Sequence, residues 1–438
     1  MNVNDNVSPV QKVVILGAGF AGLAALKKIV KSLTKSDRVE ITLIDRNNYF
    51  VFAPLLHQVA LGVLHPWDII TPLRLLKLGA QTRFVQALVE KIDLKERGVA
   101  TSAGRFDYDY LLIALGSTTN DPNLAHLDDH PNVFNLKILE DASDIKNQVF
   151  SLFEKATIEP DPVVRREMLT FCIAGAGFTG TELSSAFSDM VFKYATRIYK
   201  SIDPHEIRIH LIEMKDRIID DLPPVYSAHI ARHLQENHID IHYGSQVTAV
   251  DDHWVELNGT EKIPCRTLIR VTGVVASRVA AAVDTEHDER GRIVADDYLG
   301  VPGYEGVYVV GDCVHYRDAA SGIIAQTRAH HAVRQAKAAG INIAAELRGT
   351  PRRKYHYSDS ALIISLGRSN ALFRFYNIWI KGFPALLVWV AAYSLLVTGV
   401  KNRFKIAFDW ILSRFYGPDL AVTLPFRLST RRRKRGKD

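Results

Sequence analysis

The sequence is poor in the features that mark several common protein classes. Its three cysteines, Cys172, Cys265 and Cys313, are far apart in the chain, and no CxxC spacing occurs. Neither a disulfide framework nor an adjacent redox pair is expected, and a reducing, cytoplasmic setting fits. The opening segment (MNVNDNVSPVQ) lacks a basic stretch followed by an apolar one, so no secretion signal is read there. No short-period repeat is present, and the only low-complexity segment is the C-terminal tail. Real charge excess is missing too. The formal net charge is +6, but residues 431–438 (RRRKRGKD) alone supply +5. The body is therefore close to neutral, which speaks against nucleic acid as a partner.

What the chain does have is length and ordered apolar runs. Its 438 residues suffice for two or three domains, at roughly 150 residues each. The segment KVVIL at 12–16 reads as a buried parallel strand. A glycine turn, a helix to about Lys31 and a second strand at 39–44, ending in Asp45, complete a βαβ unit. DYDYLLIALG at 107–116 is another strand, and 137–156 is a polar helix. The opening pattern then returns: MLTFCIA at 168–174, a glycine turn, a helix, and IRIHLI at 207–212 ending in Glu213. GVYVV at 306–310 has the character of a return to the first domain. Residues 321–347 read as one long helix.

The expected fold is α/β, with two Rossmann-like dinucleotide-binding domains, the second inserted in the first. The first would span 1–137 and 290–355 and the second 138–289. Residues 356–438 would form a C-terminal amphipathic helical region that associates with membrane.

Each glycine turn has the spacing GxGxxG. In the first, Gly17 permits the tight turn, Gly19 lets backbone approach a pyrophosphate, and Gly22 lets helix and strand pack closely. The helix N-terminus then offers free N–H groups to the anion. Asp45 ends the next strand, 23 residues after Gly22. A carboxylate there can accept ribose hydroxyls, or simply cap the strand end. FAD is the expected occupant. The second turn repeats the pattern with Gly175, Gly177 and Gly180. Its acid, Glu213, follows after 33 residues rather than the usual 20 or so, so the connection around 190–206 must be extended. A carboxylate here accepts from a 2′-hydroxyl and repels a 2′-phosphate, which points to NADH. Glu182 lies in the first turn of this second helix, where an acid is stabilising by a few tenths of a kcal/mol without any further role.

The C-terminal region has two unusual stretches. FPALLVWVAAYSLLVTGV (383–400) carries no charge and reaches the roughly 18 residues of a minimal span candidate. Beyond it, Phe404, Phe408, Ile411 and Phe415 recur on one helical face, with Arg403, Lys405, Asp409 and Arg414 elsewhere. A basic amphipathic helix of this kind lies in a lipid interface, with the basic tail adding attraction to anionic lipid. The same faces could instead pack on the protein or on a second copy in a homodimer.

Taken together, these residues resemble one family. DRNNYFVFAPLLHQVALGVLHPWDIITPLR (45–74) is similar to the N-terminal signature of the type II NADH:quinone oxidoreductases. DYDYLLIALGS, GTELSSAF, VYVVGDC and the stretch 362–390 are similar to further segments of that family, so the resemblance covers about residues 12–416. It implies FAD held without a metal, quinone reduction without proton pumping, and a peripheral place on the cytoplasmic face of the membrane. It further implies that Gly17, Gly19, Gly22, Asp45, Gly311 and Asp312 contact FAD, and that Gly175, Gly177, Gly180 and Glu213 contact NADH. Glu182 matches the family's glutamate near nicotinamide and flavin. One segment departs. The family pattern AQxAxQQ, where quinone meets flavin, reads here Ala325-Gln326-Thr327-Arg328-Ala329-His330-His331. Gln326 is kept and two histidines replace the glutamine pair. They could hydrogen-bond a quinone carbonyl or deliver protons, or be packed and solvated on a helix face. Rival readings on the same fold, a sulfide:quinone oxidoreductase or a disulfide reductase, need paired redox cysteines. A flavin-binding signalling protein with weak turnover is the rival from another class.

The reading of Glu213 is open to a direct check. The ratio kcat/KM should be higher for NADH than for NADPH, and equal values would overturn it.

Overall fold

The computed structural model describes residues 9–423, apart from 35–36, 120–126 and 128; the basic tail lies outside the described residues. The chain divides into two compact units. The first comprises residues 1–51, 71–118 and 274–359, and the second 52–70, 119–273 and 360–438.

The first unit is built on a five-stranded parallel sheet. Its order is Val307–Val309, Tyr110–Ile113, Gln11–Leu16, Val39–Asp45, Thr82–Gln86. The strand at 307–309 pairs with 110–113, as expected of a return to this domain. Val13, Ile15, Leu16, Ile41, Leu43 and Leu112 are almost wholly excluded from water. Strands buried on both faces select such unbroken branched apolar runs. The second unit repeats the plan with Val133–Asn135, Leu268–Arg270, Thr170–Ala174, Arg208–Ile212 and Ile239–His242, again all parallel. Its core joins Cys172, Ala174, Ile212 and Leu268 to residues of a small antiparallel sheet at 247–264.

The long gap before Glu213 has a structural cause. The helix Phe178–Met190 runs on through a π-helical turn, Val191–Ala195, to Ile198, and a short turn at Pro204–Glu206 precedes the next strand.

Two expectations are corrected, and one pairing was not foreseen. The long helix does not begin at 321 but spans Ala329–Glu346, with extended backbone at Arg328, so Gln326 lies on the segment before it. Gly322 at φ +69° and a bridge between Arg317 and Ile324 hold that segment as a turn instead. Cys172 and Cys265, far apart in sequence, are buried neighbours, both as free thiols. The contact with Cys265, and then burial, push the Cys172 thiol well above its usual range. Lastly, the uncharged run 383–400 is not one helix. It forms Phe383–Leu396 and then breaks before Val400–Tyr416, with Gly399 at φ +92°. No helix among the described residues is long and apolar enough to cross a membrane.

The helix Val400–Tyr416 is mounted with its polar side inward. Asn402 Nδ2 donates to the Ile70 carbonyl at 2.6 Å, Lys405 pairs with the buried Asp68 at 2.7 Å, and Trp410 Nε1 donates to Gln58 Oε1 at 2.7 Å. Ile406 is fully buried beside them. Phe404, Phe408, Ile411 and Phe415 are 74, 59, 59 and 76% exposed. Within this chain the aromatic stripe is thus not a packing face. Two substitutions separate the two sides. Phe404→Ser should leave stability within about 0.5 kcal/mol, whereas Ile406→Ala should cost about 2–5 kcal/mol. Thermal unfolding measures both, and a large loss for Phe404→Ser would contradict this orientation.

Candidate functional site

The two glycine turns are close copies. Gly17 and Gly175 adopt φ of +96° and +102°, which a residue with a side chain rarely takes. At Gly22 an added Cβ would sit 1.8 Å from the Gly17 carbonyl oxygen, and at Gly180 it would sit 1.9 Å from that of Gly175. Both helices therefore need glycine to close on their turns. Gly19 and Gly177, in contrast, have nothing within 4 Å of a Cβ position. Each is the cap of its helix, Phe20–Ser32 and Phe178–Met190. Each turn thus leaves open space where backbone N–H groups can meet an anion.

The strand-end acids also match. Asp45 accepts from the Ala18 N–H at 2.6 Å and the Asn47 N–H at 2.8 Å. Glu213 accepts from the Ala176 N–H at 2.7 Å and the Lys215 N–H at 3.0 Å. Each carboxylate thus ties its own glycine turn to the strand end. A carboxylate has about four acceptor positions, so each retains capacity for ribose hydroxyls. Burial raises the Asp45 pKa above the ordinary carboxylate value, against the pull of those N–H donors.

In the first unit the strand Val307–Val309 leads into a turn at Gly311–Cys313. Gly311, at φ +80°, donates its N–H to Gln335 Oε1 at 2.9 Å, and Asp312 accepts from Ser117 Oγ at 2.6 Å. Gln335 was not among the expected residues; only its place on the helix Ala329–Glu346 brings it there. The histidine pair opens that same helix. His330 is exposed and His331 wholly buried, with the rings 3.8 Å apart. His331 Nε2 lies 3.2 Å from Tyr357 Oη and 3.7 Å from Asp359 Oδ1, while His330 Nε2 is 3.6 Å from the same oxygen. Burial, and then His330, lower the His331 pKa to about 3. His331 is therefore a neutral hydrogen-bonding group, not an imidazolium that delivers protons. Gln326 Oε1 is buried with no hydrogen-bond partner among the described residues.

His330, His331 and Asp359 bring three potential ligand atoms within 4.8 Å of one another. The surroundings oppose a cation. Arg328 lies 3.7 Å from Asp359 Oδ2, Arg334 adds a second positive charge felt by His331, and the cluster sits at a helix N-terminus.

Glu182 belongs to the second unit and is buried. Its Oε1 accepts from the Ser365 N–H at 2.9 Å and from Ser365 Oγ at 3.1 Å. Ser365 lies 183 residues away, and nothing in the sequence announces the contact. Burial outweighs both bonds and raises the Glu182 pKa to about 7. The expected place in the first turn is corrected: the helix begins at Phe178 with no acid in its first turn, so Glu182 stands further in and is not a solvated acid acting on the dipole. Glu182 instead exchanges a proton near neutrality.

Two parallel dinucleotide folds on one chain, each with its glycine turn and carboxylate, define a nucleotide-dependent oxidoreductase of the two-fold flavoprotein type. The chain belongs to the pyridine nucleotide-disulphide oxidoreductase family, which matches residues 11–338. It is 28% identical over 422 residues to a type II NADH:quinone oxidoreductase, NdhA, of Mycobacterium tuberculosis, covering 92% of this chain and 87% of the relative. It is 26% identical over 419 residues to a probable NADH dehydrogenase of Dictyostelium discoideum, covering 94% and 91%. Its fold is that of NDH2 from Plasmodium falciparum, solved in complex with NADH, with a TM-score of 0.84, 19% identity and coverage of 94% of this chain and all of the other.

The steric demand at the first turn yields a test. Gly22→Ala should purify with little or no visible flavin absorbance. Gly259→Asn, at an open turn at φ +73° that asparagine tolerates and where a Cβ meets nothing within 4 Å, should keep it. Full flavin content in Gly22→Ala would contradict the close packing.

Proposed function

We propose that this chain is an FAD-dependent NADH:quinone oxidoreductase that works at a lipid surface. The observation that carries the reading is the pair of glycine turns, each with an unfilled space at its helix cap and a strand-end carboxylate. Gly17, Gly19, Gly22 and Asp45, with Gly311 and Asp312, would hold FAD. Gly175, Gly177, Gly180 and Glu213 would hold NADH. When bound, FAD supplies the redox chemistry, taking two electrons from NADH and returning them to quinone.

The protein's own contribution is placement and protons. Quinone reduction consumes two protons, and Glu182 holds one that exchanges near pH 7. Gln326, with a buried amide oxygen still to be satisfied, and the exposed His330 are the groups offered to a quinone. His331, locked against Tyr357, sets the His330 ring from behind.

The thiol-dependent rivals are disfavoured by the cysteines themselves. A redox thiol must be reachable as a thiolate. All three are buried. Cys172 has its pKa pushed well up, and burial raises Cys313 to about 12. A flavin-bearing signalling role would require turnover well below one per second, under the usual enzyme range of roughly 1–10³ per second.

The exposed stripe of Phe404, Phe408, Ile411 and Phe415 is read as the membrane contact, on the cytoplasmic face that free thiols favour. A second copy of the chain could cover the same stripe in a homodimer. Lipid is preferred because the exposed Lys401 opens the same helix and because the acceptor dissolves in lipid.

A pH profile tests the proton role. Below about pH 7 Glu182 is protonated, and above it the carboxylate forms. The kcat for quinone should fall as pH rises through about 7. In Glu182→Gln that limb should vanish, with kcat lowered roughly 10²-fold, while reduction of ferricyanide, which takes no proton, changes little. An unaltered quinone profile in the variant would reject the role.

A further inference from the structure

Apart from the nucleotide turns, the second unit contains a small cavity of about 40 Å³ whose wall includes His57, Gln58, Ala186, Met190, Tyr194 and Ser365. Most of this wall is apolar or already engaged, and Gln58 Oε1 accepts from Trp410. His57 is the exception. It lies on the short helix Leu56–Ala60, is 3% exposed, and its Nε2 has no hydrogen-bond partner among the described residues. Its other ring nitrogen meets the Pro54 carbonyl. A carbonyl only accepts, so Nδ1 carries the proton and Nε2 presents a lone pair. A buried acceptor left bare is costly, and native structures commonly satisfy such groups with ordered water.

Ser365 stands on the same cavity wall. It ends the strand Ala361–Ser365, and its hydroxyl donates to Glu182 Oε1 at 3.1 Å. The hydroxyl oxygen retains acceptor capacity. The cavity has room for at least one water. A water there could donate one hydrogen to His57 Nε2 and the other to Ser365 Oγ, satisfying both.

Arg368 also lines the cavity. Tyr393, on the helix Phe383–Leu396, feels the charge of Glu182, and burial keeps its phenol protonated. On the helix of Glu182, Asp189 is paired with Lys193 and accepts from the Arg368 N–H at 2.6 Å. The Arg368 guanidinium lies over the Tyr194 ring at 4.7 Å. His57 itself stays neutral, its pKa lowered to about 4 by burial.

We propose that water in this cavity links His57 Nε2, through the Ser365 hydroxyl, to the Glu182 carboxyl, making His57 a positioning residue for the proton on Glu182. The inference rests on the reading of Glu182 as the proton-exchanging group. With Glu182 ionised, the hydrogens run toward it: water to Ser365 Oγ, and Oγ to Oε1. With Glu182 protonated, the carboxyl donates to Oγ and the hydroxyl turns to donate to the water. His57 Nε2 accepts from the water in both states, so the water stays anchored while the hydroxyl turns. Only hydrogen bonds change, and no proton remains on His57. The chain favours the ionised form, so losing it should raise the Glu182 midpoint further.

The test follows the infrared band of the protonated Glu182 carboxyl against pH in purified, flavin-loaded protein, assigned by its loss in Glu182→Gln. His57→Leu should move the midpoint up by about one pH unit. His57→Gln, whose amide oxygen can accept from the same water, should return it toward the wild-type value. Ala186→Val fills the cavity without removing a hydrogen bond and should also move the midpoint up. Unchanged midpoints in His57→Leu and Ala186→Val would overturn the proposal, as would a His57→Gln midpoint displaced as far as that of His57→Leu. If His57→Leu fails to fold, Ala186→Val decides alone. Normal quinone turnover in Glu182→Gln would reject the proton role of Glu182, and the infrared midpoints would still judge the water link.

Discussion

In each unit a helix stands hard against the glycine turn that precedes it. The helix carrying Gly22 has its Cβ position 1.8 Å from the Gly17 carbonyl oxygen, and Gly180 stands in the same relation to Gly175. No side chain fits there. Only with that contact closed does the helix N-terminus stay at the sheet edge, with the space at Gly19 or Gly177 unfilled and the strand-end acid tied to the turn. The open helix cap and the carboxylate tied to the turn both depend on that contact.

The rest of the chemistry comes from burial. Apolar surroundings turn Glu182 from an acid fixed in its ionised form into one that titrates near pH 7, while Ser365 keeps it in place. The same effect silences other groups. It holds His57 and His331 neutral and Cys313 protonated. Burial thus keeps protons on the carboxyl and the thiols and off the imidazoles. The C-terminal helix Val400–Tyr416 shows the converse arrangement. It spends its polar side chains on Asp68, Gln58 and the Ile70 carbonyl, leaving its aromatic residues outside.

Much of the fold was legible because it rests on local rules. Branched apolar runs closed by glycine and then by an acid are strands of a parallel sheet, and the repeat of that pattern is visible by eye. The longer path to Glu213 demanded an extended connection, and a π-helical turn and further helix supply it. What stayed hidden depends on distant partners. Nothing near Glu182 signals Ser365, and nothing near Cys172 signals Cys265. The start of the helix at Ala329 was misplaced because residues 321–328 are compatible with a helix, yet a turn at Gly322 claims them. The run at 383–400 looked continuous because composition does not reveal the bend at Gly399. The paired histidines read alike in sequence, but one is exposed and the other wholly buried.

One chain joins a reduced pyridine nucleotide to a quinone through a bound flavin. Anaerobic absorbance of the purified protein measures this in two additions. The protein should be yellow, bleach with NADH and regain its colour with a short-chain quinone. A folded protein that takes up no flavin, or whose flavin colour is indifferent to NADH, would contradict it.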